Sequence, residues 1–154
     1  MPEIPIRSFF VSLVAVRRTE MSHEVLLLKR TGTLAGEWCQ IAGKIEEGET
    51  AWQAALRELE EETGLKPESF YSGDICEQFY EADRDAISIA PVFVAFINNS
   101  AKVSLNHEHS EYRWLSFHEA REMVAFGGQR RVLSWIEDEF ITRKPSHHLL
   151  IEGM

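Results

Sequence analysis

The chain is poor in cysteine and has no long apolar run, and both absences narrow what it can be. Its two cysteines, Cys39 and Cys76, stand in neither a CxxC nor a CxH spacing among the 154 residues. A disulfide framework and a cysteine-based zinc site are therefore excluded. The apolar stretches fall far short of the ~20 residues that a membrane-spanning helix requires. We expect a soluble, cytoplasmic protein without a membrane partner, folded as one domain over residues 1–154.

Basic residues are also scarce, because 16 lysines and arginines face 25 aspartates and glutamates, giving a net charge of −9. A chain of this charge is repelled by a phosphate backbone, so we expect no nucleic acid polymer as a partner. More than half of the excess lies between positions 44 and 62, where seven glutamates accompany one lysine and one arginine. Such a run is either a solvated helix face or a site for hard cations, which bind oxygen ligands.

The periodicity of apolar residues predicts alternating strands and helices. Strands are predicted at residues 7–16, 25–30, 38–41, 70–80, 87–97 and 112–117, and helices after Thr50 up to Gly64, at 118–126 and at 129–142. The first two strands are apolar on both faces, as buried strands are. Pro91 predicts a bulge or an edge in the strand at 87–97. The pattern indicates an α/β fold in which a mixed β-sheet lies between helices, an α/β/α sandwich.

The helix after Thr50 carries the acidic run. Thr50 and Gln53 form a capping box that predicts its first turn. Glu58, Glu61 and Glu62 follow at positions i, i+3 and i+4, so their carboxylates project from one face of the helix. Like charges at this spacing destabilise an isolated helix, and a divalent cation neutralises them most simply. Mg²⁺ binds through one or two carboxylates and completes its shell with water and substrate phosphates.

The loop before this helix is predicted to come close to the carboxylates. Gly43 and Gly48 permit tight turns of its backbone. Glu49 and Arg57 have opposite charges, and we expect them to pair and to fix the loop against the helix. Lys44 either contacts a substrate phosphate or balances the glutamates around it.

The stretch from Gly43 to Leu65 fits the pattern G-x5-E-x7-R-E-U-x-E-E-x-G-U, in which U is a bulky aliphatic residue, at every fixed position. It closely resembles the Nudix box of the Nudix hydrolases. The resemblance implies a Nudix-type fold and hydrolysis of a nucleoside diphosphate linked to another moiety, with Mg²⁺ or alternatively Mn²⁺. It assigns metal binding to Glu58, Glu61, Glu62 and the Gly43 carbonyl, and structural roles to Glu49, Arg57 and Gly64.

The box leaves the general base open, because Nudix enzymes place it either in the box helix or on a distal loop. Residues 106–115 resemble a loop-plus-strand segment that often carries an extra catalytic glutamate. Glu108 aligns best with that glutamate and Glu111 second, whereas Glu58 and Glu62 are the candidates within the box. The histidines on either side of Glu108, His107 and His109, are interpreted as loop residues rather than as a zinc pair, because no third ligand is nearby in the sequence.

Cations and aromatic residues around the box indicate where substrate binds. Arg30 ends the second strand, where the family often places a cation that contacts phosphate. Trp38 and Phe79 are candidates for stacking on a base or pterin ring, or else are core residues.

The chain looks most similar to bacterial pyrophosphohydrolases of nucleoside triphosphates, which act on dATP or dihydroneopterin triphosphate. Dinucleoside polyphosphates, ADP-ribose and nucleotide sugars are the alternative substrates. A nucleotide-sensing domain without turnover is the alternative function. A homodimer is compatible with the sequence.

Overall fold

The computed structural model describes residues 1–153 of the chain. The strands are β1 Ile6–Arg7, β2 Phe10–Arg18, β3 His23–Arg30, β4 Trp38–Cys39, β5 Ile41–Lys44, β6 Ser69–Glu81, β7 Ala86–Ile97 and β8 His109–Leu115. The helices are α1 Ala51–Thr63, α2 Phe117–Met123 and α3 Gly127–Ile136, followed by a π-helical segment Glu137–Thr142 and a 3-10 turn His147–Leu149. Within residues 1–153, no helix combines the length and the apolar character that crossing a bilayer requires.

The eight strands form one mixed sheet with β2 at its centre. β2 pairs in parallel with β7 and in antiparallel fashion with β3 and β5. β7 also pairs with β1 and with β6, whereas β3 also pairs with β4 and β8. This arrangement places β5, which leads into α1, directly beside the central strand.

Both faces of the central strands are buried, because helices cover the sheet on each side. Leu13 of β2 packs in a core cluster with Leu59 of α1. Val14, the next residue of β2, belongs to a second cluster with Leu27 of β3 and Leu133 of α3. Alternate residues of one strand therefore serve opposite cores. The predicted α/β/α sandwich with a mixed sheet is confirmed.

Local signals set both ends of α1 as the sequence predicts. The Thr50 hydroxyl accepts from the Gln53 N–H at 3.2 Å, and the Gln53 side chain accepts from the Thr50 N–H at 2.9 Å. Gly64 ends the helix in the left-handed region, with φ of 72°, and its N–H donates to the Glu60 carbonyl. Because both caps are made by the segment itself, they can be recognised without tertiary information.

The expectation of an edge at Pro91 is wrong, and the irregularity near Pro91 lies in the partner strand instead of in β7. β7 is an interior strand, because it pairs with β6 as well as with β1 and β2. A register irregularity does occur next to the proline, but β6 carries it between Ser72 and Cys76, and Cys76 pairs with Pro91. On its other side Pro91 has no paired residue, because β1 pairs only with Ile87 and Ser88 and β2 pairs from Val92 onward.

The glycine pair at positions 127 and 128 lies inside α3 instead of separating two helices. α2 ends at Met123, and α3 begins at Gly127. The Gln129 side chain accepts from the Phe126 N–H at 3.1 Å and so caps the first turn. This side-chain cap starts the helix two residues before the predicted position 129. The predicted end at 142 is met only through the π-helical continuation.

Candidate active site

Arg57 of α1 ties the loop before the helix to the helix itself. Its Nε and Nη2 donate to the two carboxylate oxygens of Glu49 at 2.7 and 3.0 Å. Nη2 also donates to the Lys44 carbonyl at 2.8 Å, and Nη1 donates to Glu58 Oε1 at 2.8 Å. The hydrogen bond from Arg57 lowers the pKa of Glu49 below its ordinary value. The arrangement fixes the backbone around Lys44 relative to the Glu58 carboxylate.

Gly43 of β5 makes room for Glu58. A Cβ atom placed on Gly43 would overlap the Glu58 carboxyl group. Any side chain at position 43 would therefore push the carboxylate away from the strand. Because Gly43 has no side chain, the Glu58 carboxyl group can lie against the β5 backbone.

Glu62 is buried close to Glu108, with 1% of its surface exposed. The pKa of Glu62 is raised far above its ordinary value. Burial is the largest cause, and contact with the Glu58 carboxyl group is the second. Its Oε2 atom has no hydrogen-bond partner among the described residues. A buried carboxylate oxygen without a partner is costly, and a bound cation would remove that cost.

Glu108 and His109 complete a group around the Glu62 carboxylate. Ligand atoms of Glu62, Glu108 and His109 all lie within 4.8 Å of one another. His109 Nε2 lies 3.6 Å from Glu62 Oε1, and burial lowers the pKa of the imidazole. Several carboxylate oxygens together suit Mg²⁺ or Mn²⁺, so these residues fit a divalent cation of the kind predicted from the sequence.

Two of the acidic candidates point elsewhere. Glu61 is 54% exposed and accepts from Arg57 Nη1 at 3.1 Å, outside both described cavities. Glu111 pairs with Lys29 at 3.1 Å and is also outside the cavities. Glu108 lines both cavities. The structure therefore brings Glu58, Glu62 and Glu108 together and leaves the other two at the surface.

Two adjoining cavities open at this group. The smaller has a volume of about 340 Å³ and is lined by Glu62, Glu108 and His109. The larger has a volume of about 870 Å³, and Glu58 and Glu108 line it. The second volume is in the range of small-molecule sites.

Some of the predicted substrate-binding residues line these cavities, and one does not. Arg30 lines both cavities, and Lys44 and Phe79 line the larger one. Trp38 lines neither, so the structure does not bring it to the site. Its ring packs against the core on the α2 and α3 side and lies 5.0 Å from the guanidinium carbon of Arg113.

Sequence reasoning missed a set of polar residues in the larger cavity. Gln40 contacts Ser12, Glu77 and Gln129 through its side chain. Burial raises the pKa of Glu77, partly offset by hydrogen bonds from Ser12 and Gln40. The one local signal was a glutamine between the apolar residues at 39 and 41. His109 was missed for a similar reason, because its buried position depends on pairing of β8 with β3.

Comparisons with known proteins show what the chain is similar to. A family model described as the NUDIX domain matches residues 9–136. A bis(5'-nucleosyl)-tetraphosphatase [asymmetrical] from Caenorhabditis elegans is 33% identical over 116 residues, which are 74% of this chain and 83% of that protein. The crystal structure of a C. elegans Ap4A hydrolase binary complex matches with a TM-score of 0.73 and 25% identity, covering 84% of this chain and 94% of that one.

A further relative is much longer than this chain. An octanoyltransferase from Myxococcus xanthus is 32% identical over 138 residues, which are 84% of this chain. The match spans only 36% of that protein. The similarity therefore concerns only a part of the octanoyltransferase and does not indicate acyl transfer by this chain.

Proposed function

Because the chain belongs to the NUDIX domain family, we propose that it is a Mg²⁺- or Mn²⁺-dependent pyrophosphohydrolase of a nucleoside triphosphate or of dihydroneopterin triphosphate. Water attacks a phosphorus atom and the diphosphate linkage breaks. The observation that carries the proposal is the meeting of Glu58, Glu62 and Glu108, with an unpartnered buried oxygen on Glu62.

Glu58 and Glu62 would hold the cation, with the Gly43 backbone and Glu108 beside them. Glu61 would join them only by leaving Arg57. A bound divalent cation supplies positive charge to the phosphate oxygens and acidifies water.

The chain's own residues supply the remaining functions. Glu108 is the first candidate for the group that accepts the proton of the attacking water, because it lines both cavities. Arg30 and Lys44 are the cations that contact phosphate oxygens from the cavity walls. Arg57 holds Glu58 and the Lys44 backbone in place and does not touch the substrate.

A panel of nucleotides with Mg²⁺ tests this function when mononucleotide, phosphate and pyrophosphate products are resolved. We expect a nucleoside triphosphate to yield a mononucleotide and pyrophosphate, and chelation of the metal to stop the reaction. Isotopically labelled water in the same assay locates the phosphorus atom that is attacked. Tight nucleotide binding without any product would contradict the proposal and favour a sensing domain.

Dinucleoside polyphosphates are the second candidate substrates, because relatives with this activity cover most of the chain. Diadenosine tetraphosphate therefore belongs in the same panel. Asymmetrical cleavage would yield ATP and AMP. A higher kcat/KM for this compound than for every triphosphate would favour the second candidate. ADP-ribose and nucleotide sugars complete the panel.

A cytoplasmic location, a homodimer and a single domain over residues 1–154 stay predictions.

A further inference from the structure

The larger cavity is lined by exposed aromatic residues as well as by catalytic candidates. Phe79 and Phe126 are 41% and 53% exposed, and both line it together with Glu58. Phe79 lies 6.1 Å from the ring of Phe10, which lines the same cavity. Apolar side chains gathered at one concave site indicate a ligand, and aromatic rings stack on heterocycles of any kind. The cavity thus offers a stacking surface next to the phosphate chemistry.

A buried amide fixes one acidic side chain in this cavity. Gln40 Nε2 donates to Ser12 Oγ and to Glu77 Oε2, both at 3.0 Å. Gln129 Nε2 donates to Gln40 Oε1 at 3.3 Å. Both amide protons of Gln40 are therefore used within the protein. Ser12, Gln40 and Gln129 are all buried, so the network holds Glu77 in one orientation. The N–H groups of Gln40 are not available to donate to a ligand.

Glu77 retains acceptor capacity toward a ligand. An ionised carboxylate has two oxygens and about four acceptor sites, and it has no donor. Gln40 and Ser12 each use one of these sites, and about two remain. Glu77 lines the cavity. Its free carboxylate acceptor sites therefore favour rings that present N–H donors along one edge.

We propose that Glu77 determines substrate specificity by accepting hydrogen bonds from the 2-amino-oxopyrimidine edge shared by guanine and pterin rings. That edge presents a ring N–H beside an amino group, so one carboxylate can accept from both. Adenine presents an acceptor beside its amino group and fits a carboxylate less well. The inference rests on the proposed function, because the ring belongs to the substrate whose phosphates reach Glu58 and Glu108.

GTP and ITP test the proposal directly, since they differ only in the 2-amino group. With Mg²⁺, we expect the wild-type kcat/KM for GTP to exceed that for ITP about tenfold, the size of one hydrogen bond to a charged group. E77Q replaces one acceptor oxygen by a donor, and the GTP-to-ITP ratio should fall to about one. Dihydroneopterin triphosphate assayed beside GTP shows which of the two ring systems the cavity prefers.

Glu68→Gln is the matched control, because it removes the same charge from an exposed residue outside both cavities. Its GTP-to-ITP ratio should equal that of the wild type. Equal wild-type values for GTP and ITP, or a ratio that survives E77Q, would overturn the proposal. Equal wild-type values overturn the proposal even when E77Q fails to fold, because they leave no contact to the 2-amino group for Glu77 to make. If no nucleotide is hydrolysed, the proposed function fails separately, and calorimetry with GMP and IMP then decides the base inference, with equal affinities overturning it.

Discussion

Three carboxylates meet at the two cavities. Glu62 is buried and Glu108 is exposed, and only Glu58 has a strong basic partner. Glu58 accepts from Arg57, whereas the Oε2 atom of Glu62 has no partner among residues 1–153. Burial and the neighbouring Glu58 carboxyl group both raise the pKa of Glu62, as expected for a carboxylate that lacks a positive partner. The arrangement is consistent with a group that binds a cation.

The residue with the most direct test is Glu58. Glu58→Gln preserves side-chain size and removes one negative charge from the site. We expect kcat to fall about 100-fold or more, as for loss of a metal-binding or general-base group, with the fold intact. Steady-state kinetics and circular dichroism measure the two effects.

Glu60→Gln provides the matched control, because Glu60 is on the same helix and exposed, outside both cavities. It should retain near-normal turnover. A Glu58→Gln variant as active as this control would show that Glu58 does not act in the site.

Residue spacing predicted that Glu58, Glu61 and Glu62 share one helix face, but not which partner each would choose. Glu61 contacts Arg57 four positions earlier, and this local ion pair directs it to the surface. The network around Gln40 was beyond such reasoning. Gln40 lies 37 positions from Glu77 and 89 from Gln129 in the sequence, so only the folded sheet brings them together.

At the scale of elements, the loop before α1 depends on the Glu49–Arg57 pair. The pKa of Glu49 is lowered from 4.5, so its contribution to stability is present above that pH and is lost as the pH falls through the folded-state pKa. We expect Glu49→Gln to be less stable than the wild type at pH 7. The difference should shrink below about pH 4.5. Urea unfolding midpoints at a series of pH values measure it.

Glu47→Gln is the control for this series, because Glu47 is an exposed glutamate of the same loop. It should change the midpoint little at any pH. A Glu49→Gln deficit that stays constant from pH 7 to pH 3 would show that the carboxylate charge does not contribute.

Elements with self-contained signals were predictable, and those that depend on distant partners were not. The Thr50 capping box and Gly64 define α1 within their own segment. β1 has only two residues, Ile6 and Arg7, and exists because it pairs with β7 about 80 positions later. The start of α3 was misplaced because a glutamine inside the helix, rather than the glycine pair, caps its first turn.

For the whole molecule, the two cores share β2 and β3, so they should unfold together. Leu13→Ala and Leu27→Ala each remove a fully buried side chain, one from each core. We expect each to lower the free energy of unfolding by about 2–5 kcal/mol while a single transition is retained. Urea denaturation followed by far-UV and near-UV circular dichroism checks this. Two separate transitions in either variant would contradict one cooperative domain.

Different elements carry the residues for phosphate chemistry and the residues proposed to contact the ring. Glu58 and Glu62 come from α1 and Glu108 directly precedes β8, whereas Glu77 comes from β6 and Gln129 from α3 on other parts of the cavity wall. If Glu77 recognises the ring as proposed, substitutions in β6 and α3 alone should change which heterocycle is accepted. The hydrolytic apparatus would be inherited unchanged.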